Sequence, residues 1–145
     1  MNPHNVYLAS SYDRIKELNE YKRDLSDIGF IITSRWLQRH YKLDINIQIE
    51  ETGLNNDEAI HFAAEDLEDI YRSDIIILFS SICKTQYSKG GHNVELGIGL
   101  ALNKHIYIVG PIENIFYNLV TNRFDTWYDC LSYLKYYKGI NTKNG

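Results

Sequence analysis

The chain has 145 residues, of which 44% are apolar and 23% charged, enough for one domain with a real core and too apolar for intrinsic disorder. Its formal net charge of -4, with Lys and Arg scattered, argues against a nucleic-acid polymer as partner, since such partners need a basic stripe. A local cationic pocket for one small phosphate stays compatible with that balance.

In chain order, "NVYLAS" (Asn5 to Ser10) is a short β-rich run. Ile15, Leu18, Tyr21, Leu25 and Ile28 then recur at helical spacing, with Gly29 placed to end the helix. "FIITSRW" (Phe30 to Trp36) returns to strand, and "DINIQIEE" further on alternates as either a short strand or an extended loop. "NNDEAIHFAAEDLEDIYRSD" opens on capping residues and predicts an amphipathic helix. "IIILF" (Ile75 to Phe79) is a continuous apolar run, as in a strand buried on both faces of a parallel sheet. A helix after Gly91, a strand "IYIVGP" and a last helix ending at Gly139 complete the pattern. Residues 1–139 form one expected domain, and 140–145 an expected frayed tail.

Alternation of strand and helix predicts an α/β, doubly wound parallel sheet of about five strands with helices on both faces. Ligands of such sheets bind beyond the carboxyl ends of the strands, where the strand order reverses. That places Ser10 and Ser11, Trp36, the stretch from Ser80 to Gly91, and the residues after Gly110 at the expected binding edge. No signal peptide is evident in "MNPHNVYLASS", and no run approaches the roughly 18 apolar residues of a membrane span. Cys83 and Cys130 are too few and too distant for a metal site or disulfide framework, and His40, His61 and His105 lack metal spacing. The expectation is a cytoplasmic protein with reduced thiols, no metal and no membrane partner.

Two carboxylates stand out. Glu95 falls near the start of an otherwise apolar helix, "LGIGLAL", where the helix dipole favours the ionised form. Gly97 and Gly99 suit a helix backbone lying close to the sheet or to a ligand. On a helical wheel, Ala59, Ile60, Phe62, Ala63, Leu67, Ile70 and Tyr71 share one arc, and Asp66 falls inside it. A carboxylate there must be paired, hydrogen-bonded or functional. Position alone also allows Glu95 to be a surface dipole partner and Asp66 a structural cap. Ser10 and Ser11 offer hydroxyls and amides to an anion or a sugar, as do Ser88, Lys89, Gly90 and Gly91 at the next helix start. Trp36 reads either as core or as a surface on which a base stacks. Asn114 and Tyr117, after the fourth strand, are candidates for the pocket rim or a neighbouring subunit's site, or members of an ordinary loop.

"VYLASS", "AEDLEDIYRSDIIILF" and "KGGHNVELGIGLALNKHIYIVGPIENIFYNL" together resemble the nucleoside 2-deoxyribosyltransferase-like family, which includes nucleoside 5′-monophosphate N-glycosidases. The resemblance implies cleavage or transfer of the N-glycosidic bond of a nucleoside or, more in keeping with this chain, its 5′-monophosphate. It implies Glu95 as the nucleophile at the anomeric carbon, Tyr7 as the residue orienting it, and Asp66 as the residue that contacts the leaving base and assists its protonation. It further implies a flavodoxin-like parallel sheet, homo-oligomers whose neighbouring subunits complete each pocket, and no metal or organic cofactor. Many transferases of the family carry an aspartate six residues before the glutamate; here Lys89 stands there, which favours a phosphorylated substrate. A non-catalytic nucleotide-binding protein, sensing or sequestering its ligand, and an NAD- or ADP-ribose-type glycohydrolase are the competing readings.

Overall fold

All five residues of Ile75–Phe79 are buried, the burial expected of a strand with layers on both sides. The computed structural model describes residues 4–39, 56–81 and 90–144, with side chains as far as residue 137. Its strands are β1 (Asn5–Ala9), β2 (Ile31–Ile32), β3 (Ile75–Phe79), β4 (His105–Val109) and β5 (Asn122–Phe124). The helices are α1 (Ile15–Asp27), α2 (Asn56–Tyr71), α3 (Gly91–Ala101) and α4 (Trp127–Asn144). The five strands form one parallel sheet in the order β2-β1-β3-β4-β5. This is the doubly wound, flavodoxin-like topology, whose strand order reverses between β1 and β3. The crevice at the switch point therefore opens beyond Ala9 and Phe79.

β2 is far shorter than the Phe30–Trp36 strand expected from its residues. The Leu8 amide donates to Ser34 Oγ at 2.6 Å, and the Trp36 indole N–H donates to the Leu8 carbonyl at 2.8 Å. Side chains thus satisfy both Leu8 backbone groups, the ladder stops, and Arg35–Gln38 turns into a 3-10 helix. β5 was not anticipated, because "NRF" has one apolar residue and pairs only with β4 at the sheet edge. The alternating run at 44–51 lies outside the described residues. α4 continues to Asn144, past the expected stop at Gly139.

α3 is seated on the sheet through Leu96 and Gly99. A Cβ on Gly99 would collide with Ile76 Cδ1 of β3 and sit 3.4 Å from Ile106 Cδ1 of β4, so the helix backbone approaches the sheet as expected. Gly97 faces away from the sheet, with nothing within 4 Å of where a Cβ would stand. Among the described residues, no helix is long and apolar enough to cross a membrane.

α2 contradicts the apolar arc drawn from its sequence. Ile60 is 68% exposed and Tyr71 59%, while the buried positions of this helix are Asp69 and Ile70. Its inward side is largely acidic and docks on the segment after β2 by ion pairs. Asp69 accepts from the Arg35 backbone N–H and side chain and from Arg72, and Glu65 and Asp66 both pair with Arg39. Helical periodicity locates a hydrocarbon face, and here the docking face carries charge.

Candidate active site

Tyr7 is the third residue of β1 and completely buried. Its hydroxyl donates to Glu95 Oε2 on α3, joining two elements 88 residues apart in the chain. Asp66 approaches the same spot from α2, its side chain 27% exposed. It is near enough for its charge to act on both Glu95 and Tyr7. The three residues singled out by the resemblance thus meet in one electrostatically coupled group, supported by a strand of the switch point and two neighbouring helices.

The electrostatics differ from expectation. α3 begins at Gly91, after Gly90 in the left-handed region (φ +82°), so Glu95 is the fifth helical residue and lies beyond the first turn. The dipole's hold on a charge fades within that turn. Burial dominates instead and pushes the Glu95 carboxyl up to about 8; the Tyr7 hydrogen bond and the Arg39 charge oppose the rise, and Asp66 adds to it. The fold therefore favours the protonated form of Glu95 near neutrality, the opposite of what helix-start placement suggests. Burial also raises Asp66, against the hydrogen bond and charge of Arg39 and with help from Asp69 and Glu65. Tyr7 is driven well above the usual phenol range, first by burial and then by the Glu95 charge, and so serves as a hydrogen-bond donor throughout the physiological range.

The expected binding residues divide. Ser10 and Ser11 stand half-buried directly after β1, with Ser10 Oγ donating to the Ser11 carbonyl at 3.1 Å. Gly90 and Gly91 sit at the start of α3 with open space where a side chain would project; Ser88 and Lys89 lie outside the described residues. Trp36 is buried, its N–H held by Leu8 and its ring tilted against Tyr12 at 6.2 Å. Of its two readings the burial matches core packing, and the residue fixes the end of β1. Asn114 caps the short 3-10 helix Ile115–Leu119 by accepting from the Phe116 amide at 2.9 Å. Tyr117 is fully buried with its hydroxyl on Asn93 Oδ1 at 2.6 Å, so it does not reach outward to another subunit.

Sequence reasoning missed several charged groups here. Arg39 pairs with Asp66 across 27 residues, and no spacing rule reaches that far. Glu113 accepts from Asn93 Nδ2 and from the Ser81 amide, and it faces His92 Nε2 at 2.9 Å. These contacts pin the first turn of α3 to the segments after β3 and β4. Glu113 is held below the usual carboxylate range, because His92 and its other donors outweigh burial. Arg14, paired with Glu17, donates to the Ser80 carbonyl at 3.2 Å and so spans the carboxyl ends of β1 and β3. Among the described residues, no cluster of His, Cys, Asp and Glu is arranged to hold a metal.

No protein-family model and no curated protein sequence matches the chain. Solved structures do. A 2-deoxyribosyltransferase from Bacillus psychrosaccharolyticus superimposes with a TM-score of 0.67 at 21% identity, over 88% of this chain and 90% of that one. The CMP N-glycosidase BcmB of Clostridium botulinum gives 0.56 at 15% identity, over 90% of this chain and 97% of its own. At these identities the likeness establishes a shared fold.

Proposed function

We propose that the protein is an enzyme that cleaves or transfers the N-glycosidic bond of a nucleoside or, in preference, its 5′-monophosphate, with Glu95 as nucleophile. The observation that carries the proposal is the Tyr7–Glu95 hydrogen bond beside Asp66, which joins the switch-point strand β1 to α3. The printed activities of the two structural relatives, a deoxyribosyl transfer and a CMP N-glycoside cleavage, support the same chemistry. Glu95 attacks C1′, the C1′–N bond breaks, and its electron pair leaves with the base, which takes a proton delivered through Asp66. Water or a second base then attacks C1′ and releases the Glu95 carboxylate. A carboxylate next to the anomeric carbon stabilises the oxocarbenium-like transition state or traps the sugar covalently, as in retaining glycosidases.

The preference for a phosphorylated substrate rests on Lys89, the hydroxyls of Ser10 and Ser11, and the amides at the start of α3. Incubating the protein with each deoxynucleoside and each 5′-monophosphate, and resolving free base by chromatography, tests both statements. Base release with a higher kcat/KM for a monophosphate is expected. Equal values would remove the phosphate preference. Nucleotide binding with no base released would leave a sensing or sequestering role instead.

A homo-oligomer completes the proposal. Ile60, Leu67 and Tyr71 on α2 and Val94 on the adjacent α3 are large apolar side chains exposed to solvent, the kind of surface that a second copy covers. Light scattering at micromolar concentration is expected to give at least twice the chain mass; a monomer would contradict it.

A further inference from the structure

Arg39 follows the 3-10 turn Arg35–Gln38, and its side chain is 8% exposed. Its Nη2 donates to Asp66 Oδ1 at 2.8 Å, to Glu65 Oε1 at 2.7 Å and to the Phe62 carbonyl at 3.3 Å. Nη1 reaches Asp66 Oδ2 at 3.4 Å, and the guanidinium carbon lies 4.3 Å from the Phe62 ring centre. A planar fork touching both oxygens of a carboxylate fixes the plane of that carboxylate as well as its position. Asp66 is faced by Arg39 from the segment after β2, by Tyr7 from β1 and by Glu95 from α3, with Glu65 and Asp69 on its own helix. Asp69 is engaged by Arg35 and Arg72. Among the described residues, the positive charge acting directly on Asp66 is that of Arg39, and it reaches Glu95 and Tyr7 as well.

We propose that Arg39 is the positioning residue of the acid–base pair: its guanidinium fixes where Asp66 points and decides which of Asp66 and Glu95 carries the proton that the leaving base takes. The proposal rests on the glycosidase reading and extends it. One proton serves the cycle. Before a base arrives it rests on Glu95, while Arg39 opposes the rise that burial imposes on Asp66. When a base lies against Asp66, the proton passes to Asp66 and leaves Glu95 as the attacking carboxylate. The base departs with the C1′–N electron pair and that proton. The attacking water then adds its hydroxyl to C1′ and returns one proton to the pair as Glu95 is freed. The active form is the singly protonated pair, so kcat/KM follows a bell in pH whose limbs belong to the pair as a whole.

Removing the cation makes protonation easier at both carboxylates. In Arg39→Gln both limbs of the kcat/KM profile are expected to move to higher pH by about one unit, and Arg39→Lys, which keeps the charge without the fork, is expected to restore most of that shift. A lower activity with unmoved limbs would show a merely structural role and overturn the proposal. A second measurement needs no substrate: carboxyl-carbon NMR of Asp66, titrated in the wild type and in both variants. Its midpoint is expected to rise in Arg39→Gln and to return towards the wild type in Arg39→Lys; an unmoved midpoint overturns the proposal. If Arg39→Gln fails to fold, Arg39→Met, which keeps an apolar stem without the charge, decides by the same titration: a raised Asp66 midpoint is expected, and an unmoved one overturns the proposal. Because the titration is independent of turnover, it separates this proposal from the glycosidase reading, which falls alone if the wild type releases no base.

Discussion

Glu95→Gln is expected to lower base release by a factor of about 10³ or more and, at the same time, to make the protein more stable above pH 8. Glutamine keeps the shape and can accept from the Tyr7 hydroxyl, but its amide oxygen is too weak a nucleophile to attack C1′. The stability gain follows from the raised Glu95 value of about 8 against the ordinary 4.5. A carboxyl whose folded value lies above its unfolded one favours the fold in its protonated form. Its contribution is complete below about 4.5 and is lost as pH rises towards and through 8. At about 1.4 kcal/mol per pH unit, and allowing for the partial exposure of the residue, wild type is expected to lose about 2–4 kcal/mol relative to Glu95→Gln between pH 5 and 9. Melting temperatures of the two proteins across that range provide the check. A difference that stays constant with pH contradicts a buried, proton-holding Glu95. Sites that keep an ionisable group under such strain commonly trade stability for activity.

The second large effect concerns Asp66. Asp66→Asn leaves a polar group for Arg39 to bind but removes the proton carrier, so kcat on a natural base is expected to fall about 10²–10³-fold. With a sugar bearing a leaving group that departs as a stable anion, such as a nitrophenolate, no proton is needed, and the loss is expected to shrink below about tenfold. Equal losses on the two substrates would show that Asp66 holds the substrate without protonating it.

Much of the fold was legible because its signals are local. "IIILF" announces a strand buried on both sides, and the strand–helix alternation gives the parallel sheet and the edge where ligands sit. What stayed hidden depends on distant partners. β2 is cut short by Ser34 and Trp36 taking over the backbone groups of Leu8, which no property of "FIITSRW" reveals. β5 is a three-residue edge strand without a run of apolar residues. The inward face of α2 differs from the wheel because Glu65 and Asp69 join Asp66 there, matched by Arg35 and Arg39, and a hydropathy wheel leaves such matched charges outside the apolar arc.

The candidate site divides in the same way. Glu95 and Asp66 stand out by their helix positions and Tyr7 through the resemblance, and the fold brings the three together. The protonation of Glu95 was inferred from helix position, whereas depth in the structure controls it. Arg39, which reaches both Asp66 and Glu65, had no signature in the sequence at all. Its partners are fixed only once the segment after β2 packs on α2.

The proposed attack of Glu95 on the sugar is tested most directly by acid-quenching the protein during incubation with a deoxynucleoside 5′-monophosphate and mapping its peptides by mass spectrometry. A pentosyl phosphate attached to Glu95, and absent from the Glu95→Gln protein, is the predicted result. Rapid base release with the sugar on another residue, or with Glu95→Gln as active as the wild type, would contradict it.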